Sequence, residues 1–226
     1  RKAAVTILGA AAPIAVASWD TECFGTSLVR AYADLVVRSL GLHYVNKGRD
    51  QKTVVVTYNT RRTQSQWPER QFCDTDNSYF DCGQLGHLKS RGLGRQVRND
   101  NAVEQALKSL EGMTFSNGAK VKTRAVDFST LDFKGQIEID ATTDLMIGPH
   151  GAGLMHNVFM PDRAALIELW IDGSSANRHF HNLAFWSGHA YQGVQMGNPV
   201  DTNKLLNLAK SAIEKIDLQT LPWETS

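Results

Sequence analysis

The chain has 226 residues, of which 42% are hydrophobic and 21% charged, and its formal net charge is +1. That balance describes an ordinary globular protein with enough chain for one large core, and it excludes a largely disordered polypeptide. It also gives no broad attraction to nucleic acid, although Arg61, Arg62, Arg70, Lys89, Arg91, Arg95 and Arg98 fall in one stretch, either a local basic patch or a solvated loop.

Ala3 to Ala17 is the longest apolar run, about fifteen residues broken by Gly9 and Pro13, and a membrane-spanning helix needs roughly twenty. The run also lacks a clear signal-peptide cleavage pattern. The chain opens on Arg1, so the expectation is that the natural N-terminus, and any targeting segment or anchor with it, lies outside this sequence. Three cysteines, Cys23, Cys73 and Cys82, are an odd count. Cys73 and Cys82 either close a small disulfide loop, as a secretory compartment would allow, or remain two loop thiols, and Cys23 stays buried or pairs outside the chain. No Asn-x-Ser/Thr sequon occurs.

Residues 1–48 hold one strand-like piece, Ala3–Leu8, and one helix, Thr26–Leu40, and read as the remnant of a preceding domain plus a linking helix. From residue 49 to 226 strand-like and helix-like segments alternate. Val54–Tyr58 is a β-branched apolar run, as a strand buried on both faces should be. Arg62–Arg95 is polar and too long for an ordinary connection, so residues 63–94 read as an inserted loop. Asn99–Leu110 has Val103, Ala106, Leu107 and Leu110 at helical spacing behind a capping Asn99 or Asp100. Strands follow at Ala119–Val126, Asp144–Gly148, Ala165–Leu169 and His189–Tyr191, with helices at Phe133–Ala141, Gly153–Phe159, Ala176–Ser187 and Thr202–Ile216. This alternation predicts an α/β fold, a Rossmann-like doubly wound parallel sheet with helices on both faces, whose ligands bind beyond the carboxyl ends of the strands.

The chemistry concentrates in residues 144–169. An apolar strand ends at Gly148, the turn Gly148-Pro149-His150-Gly151-Ala152-Gly153 follows, and a helix begins. Glycines let a backbone approach a ligand closely, and a helix N-terminus presents unpaired N–H groups and partial positive charge to a phosphate. His150 can donate to a phosphate oxygen. Glu168, ending the next strand at the same sheet edge, either accepts hydrogen bonds from two ribose hydroxyls or pairs with Arg163 or Arg178 for structure alone.

This stretch resembles the signature of glycosyltransferase family 61, which includes plant xylosyl- and arabinosyltransferases: a strand, a His-Gly-Ala-Gly-Leu turn, an apolar helix, Phe-x-Pro and a strand ending Glu-Leu. Upstream, Thr60-Arg61-Arg62, Arg95-Gln96-Val97-Arg98-Asn99-Asp100, Gln136 and Cys23-Phe24 are similar to further family positions. The likeness covers most of residues 20–195. It departs where the insertion separates two arginines that the family keeps close, and where Asp100 replaces a glutamate.

The resemblance implies the donor-binding C-terminal half of a two-domain GT-B fold, acting with inversion and without metal in the Golgi or endoplasmic reticulum lumen. The N-terminal half that helps bind acceptor has no counterpart in this sequence. The implied partners are a UDP-sugar donor and a protein or polysaccharide hydroxyl, with no nucleic acid and no membrane span within the chain. The implied ligand residues are Arg61, Arg95, Gly148, His150, Gly151, Ala152, Gly153, Asn157 and Glu168. His150 is the one candidate for a catalytic proton transfer, in competition with its phosphate role.

Other signals are weaker. Asp74-Thr75-Asp76 is a D-x-D of the metal–diphosphate type, but Arg70-Gln71-Phe72-Cys73 precedes it instead of an apolar strand. His179 and His181 lack a third zinc ligand at a recognisable spacing. The glycine turn is shared with esterases, yet no Gly-x-Ser-x-Gly is present. Trp170, Phe180, Phe185 and Trp186 either stack on a uracil or sugar face or belong to the core. The rival to an active transferase is a truncated or degenerate relative that binds nucleotide without transferring sugar.

Overall fold

The computed structural model describes residues 24–62, 96–171 and 178–220. In chain order these form α1 (Ser27–Ser39), β1 (Thr53–Asn59), α2 (Asp100–Lys108), β2 (Lys120–Val126), α3 (Phe133–Ala141), β3 (Leu145–Pro149), a 3-10 segment (Ala152–Phe159), β4 (Ala165–Trp170), α4 (His179–Trp186), β5 (Ala190–Gln195) and α5 (Thr202–Lys215). The strands make one all-parallel sheet in the order β2-β1-β3-β4-β5. The chain leaves β1 toward β2 and later returns beside β1 as β3. The crevice at which strand order reverses therefore opens at the carboxyl ends of β1 and β3.

The apolar runs dictate this sheet. Successive strand residues point to opposite faces, so Leu145 and Ile147 join Val54, Val56, Ile167 and Leu169 on one face, under α2 and α5. Met146 and Leu166 face the other way, against Leu154, Met160, Phe180 and Ala184. The expected α/β class and parallel sheet are thus observed, as are strand 144–148 and its parallel neighbour 165–169 to within a residue.

Differences lie where local chemistry competes. The segment after the glycine turn is 3-10 rather than α. Ser109–Gly112 tightens into a 3-10 turn that ends the second helix early. The last strand extends to Gln195, because its alternation is half polar at a sheet edge and was not legible as an apolar run. Helix α1 begins at a Thr26 cap and packs Ala33 and Val37 onto Ile137, Val158 and Phe159. Residues 3–8, the insertion 63–94 with Cys73, Cys82, Asp74 and Asp76, Arg95 and Cys23 lie outside the described residues. No helix among those described is long and apolar enough to cross a membrane.

A buried ion-pair cluster pins the amino edge of the sheet. Asp144 accepts from Arg163 Nε at 2.9 Å, from the Val55 backbone N–H at 2.7 Å and from Arg49. Arg163 also donates to the Gln51 and Thr53 carbonyls at 2.8 and 2.9 Å. A buried charge must be paired, and this cluster takes Arg163 away from Glu168, the partner considered for it from the sequence.

Candidate functional site

The glycine turn folds around two side chains delivered by the end of β1. A Cβ on Gly151 would lie 1.5 Å from Arg61 Nη2 and 2.4 Å from its Cζ, so the guanidinium rests directly on the Gly151 backbone. A Cβ on Gly153 would lie 2.4 Å from Asn59 Nδ2, and one on Gly148 2.9 Å from Asn59 Cβ. The three glycines are therefore required by close approach. Gln96 steadies the Arg61 backbone through a 3.3 Å bond from its amide to the Arg61 carbonyl. Ala152 is exposed and Gly153 half-buried, so the turn opens to solvent at the carboxyl edge.

His150 enters the same site from the end of β3. Its backbone N–H donates to the Leu169 carbonyl at 3.0 Å, locking the turn to β4. Its ring Nδ1 hydrogen-bonds Glu168 Oε1, and Glu168 Oε2 accepts from the Tyr191 hydroxyl at 2.6 Å. Phe180 meets the imidazole edge-on with ring centroids 5.0 Å apart. His179 stands close enough for burial and then the charge of His150 to lower its basicity, with Glu168 opposing. A carboxylate on Nδ1 orients the ring and leaves Nε2 as the nitrogen for a ligand.

The structure thus brings Arg61, Gly148, His150, Gly151, Ala152, Gly153 and Glu168 to one edge. Two roles change. Glu168 has no exposed surface, and its two oxygens meet His150 and Tyr191 where ribose hydroxyls were expected. Asn157 is also fully buried, and its amide donates to the Leu154 carbonyl at 2.7 Å, which braces the 3-10 segment. Of the four aromatics, Phe180 and Trp186 are core, whereas Trp170 and Phe185 are half-buried. His181 meets Tyr191 edge-on at 4.9 Å and stacks on Phe185 at 6.0 Å.

Sequence reading missed Asn59 and Tyr191. Asn59 carried a signal, since a polar residue ending an apolar parallel strand sits at the ligand edge. Tyr191 carried none until strand pairing set it beside β4.

Residues 42–167, just over half of the chain, match the family model Glycosyltransferase 61. The chain belongs to glycosyltransferase family 61. Curated proteins named EGF domain-specific O-linked N-acetylglucosamine transferase are similar to it. The Drosophila melanogaster protein is 27% identical over 148 residues, 66% of this chain and 21% of the relative. The Rattus norvegicus protein is 41% identical over 78 residues, 34% of this chain and 13% of the relative. The Bos taurus protein is 40% identical over 97 residues, 43% of this chain and 17% of the relative. The chain therefore spans about a fifth or less of the length of these relatives. The family match takes in Asn59, Arg61 and the whole glycine turn and stops one residue short of Glu168.

Proposed function

We propose that this glycosyltransferase 61 chain binds the diphosphate of a UDP-sugar at the turn 148–153 and supports transfer of the sugar to a protein or glycan hydroxyl. One observation carries the reading: the Arg61 guanidinium lies on the Gly151 backbone, in a glycine turn that also presents His150, at the switch crevice of a parallel sheet.

Inverting transfer is a single displacement. The acceptor oxygen forms a bond to the anomeric carbon from one side while the bond to the diphosphate oxygen breaks on the other, and the hydroxyl proton passes to a base. Negative charge grows on the departing diphosphate, and preorganised donors there stabilise the transition state. Arg61 offers a bidentate fork suited to phosphate, and His150, oriented by Glu168, offers an Nε2–H donor. Both stand on the leaving-group side. A base must stand on the opposite face of the sugar, so the same geometry argues against His150 as the base. The Arg61 guanidinium, an imidazole N–H and the turn's N–H groups supply the donors that a divalent ion replaces elsewhere, which supports metal-independent transfer.

The GT-B arrangement, inversion and a Golgi or endoplasmic reticulum lumen belong to this proposal and rest on the family resemblance. The relatives' names make N-acetylglucosamine the first sugar to test and EGF domains the first acceptors. A second reading, nucleotide binding without transfer, has its own support in the small fraction of the relatives' length that the chain matches. The test is UDP release and acceptor glycosylation from UDP-N-acetylglucosamine, measured on this chain and on its full-length gene product. Transfer by the full-length protein and binding by this chain support the proposal. Binding by both with transfer by neither favours the second reading.

A further inference from the structure

Glu168 presents a physical problem that three adjacent strands solve together. Its carboxylate is wholly buried, and a buried carboxylate is costly unless both oxygens meet donors. His150 at the end of β3 meets one oxygen, and Tyr191 on β5 meets the other at 2.6 Å. Tyr191 reaches Glu168 across an opening left by Gly193, the register partner of Glu168. A Cβ on Gly193 would lie 2.6 Å from the Tyr191 hydroxyl and 2.3 Å from Trp170 Cζ2. Residues two apart on a strand share a face, so Gly193 clears the space over which Tyr191 extends, and the Trp170 ring fills the rest.

We propose that Tyr191 is a positioning residue for His150, acting through Glu168: its hydroxyl fixes the carboxylate so that Nδ1–H stays bonded to Glu168 while the other ring donor, Nε2–H, is aimed at the donor diphosphate. This rests on the reading of the turn as a diphosphate site. Free to rotate, a carboxylate with one donor can turn away from the imidazole and release its Nδ1–H. Held by two donors, it does neither. Burial, then the Glu168 charge and the hydrogen bond to it, push the Tyr191 phenol far above its ordinary range, so Tyr191 remains a donor at every working pH. The other titratable or charged groups around this chain of bonds are His179 and Arg178 at the start of α4, His181 against the Tyr191 ring and Arg61 across the turn.

The experiment is ¹⁵N-edited NMR of the His150 imidazole in this chain, with UDP affinity by calorimetry, for wild type, Tyr191→Phe, Glu168→Gln and the double variant. In wild type the expected signature is a slowly exchanging Nδ1–H proton. Tyr191→Phe keeps the ring but removes the hydroxyl. It should speed exchange of that proton at least tenfold and weaken UDP binding about tenfold. The double variant should bind no more weakly than Glu168→Gln alone, because both substitutions break one linkage. A purely structural tyrosine would lower the melting temperature and leave the Nδ1–H signal and UDP affinity as in wild type, which overturns the proposal. So would additive losses in the double variant. Wild type that fails to bind UDP overturns the diphosphate reading, while the Nδ1–H signal in Tyr191→Phe still decides whether Tyr191 positions His150.

Discussion

Replacing Gly151 with alanine should separate the fold from the site. The new Cβ would stand 1.5 Å from Arg61 Nη2, and an ordinary contact is about 3.5 Å. The guanidinium must therefore retreat by about 2 Å, more than a hydrogen bond tolerates. Arg61 ends a flexible side chain, so the retreat costs the fold little. The backbone adds its own term, because φ +156° and ψ 173° at Gly151 lie in a region nearly restricted to glycine, worth about 1–3 kcal/mol. At about 2–4 °C per kcal/mol for a chain of this size, the melting temperature should fall by about 2–12 °C with the fold intact. UDP binding should lose a charge-assisted interaction of about 1.5–3 kcal/mol, or about ten- to a hundredfold in affinity. Arg61→Ala should lose as much, and combining the two should add little. Calorimetry with UDP is the assay. Wild-type affinity in Gly151→Ala, or fully additive losses, would refute the placement of Arg61 in the site.

Three further outcomes are expected. Asp144→Asn leaves Arg49 and Arg163 without their buried carboxylate, so stability should drop by about 3–5 kcal/mol, while UDP affinity of the folded protein stays near wild type because Asp144 sits at the opposite sheet edge; an unchanged melting temperature would contradict this. Asp140 is fully buried 3.2 Å from His156 Nδ1, and burial pushes its carboxyl up to about 6 against the pull of His156 and Arg124. The fold therefore holds that proton more tightly than the unfolded chain does, and the stability this contributes is full below about pH 4 and lost as pH rises through about 6. Asp140→Asn should gain on wild type in melting temperature between pH 4.5 and pH 7.5, and a constant difference would refute the linkage. Finally, EDTA should leave UDP binding and transfer unchanged; abolition by EDTA and rescue by Mn²⁺ would return the function to Asp74 and Asp76.

What the sequence disclosed follows from which forces are local. Strands β1, β3 and β4 are buried, so their apolar runs stand out in the sequence, and their carboxyl ends locate the turn. The 3-10 form of Ala152–Phe159 was hidden, because the segment's apolar residues fit either helix. Partnerships across strands were hidden too. Arg163 and Glu168 are five residues apart, yet along an extended strand that is about 16 Å, so Arg163 belongs to Asp144 at one edge and Glu168 to His150 at the other. Tyr191 joins Glu168 through the β4–β5 register, a long-range pairing that no local pattern encodes. Asn59 was legible in principle, as the polar end of an apolar strand, but its task depends on the missing side chains of Gly148 and Gly153.

The central claim is that the turn 148–153 with Arg61 and His150 holds a nucleoside diphosphate, and thermal unfolding of this chain with UDP and with uridine tests it most directly. A ligand at a hundred times its Kd contributes about 2.7 kcal/mol, or about 5–10 °C for a domain of this size. That shift is expected for UDP, little or none for uridine, and a shift cut to about 0.4–1.4 kcal/mol in Arg61→Ala at the same UDP concentration. No shift with UDP, or an equal shift with uridine, would contradict it.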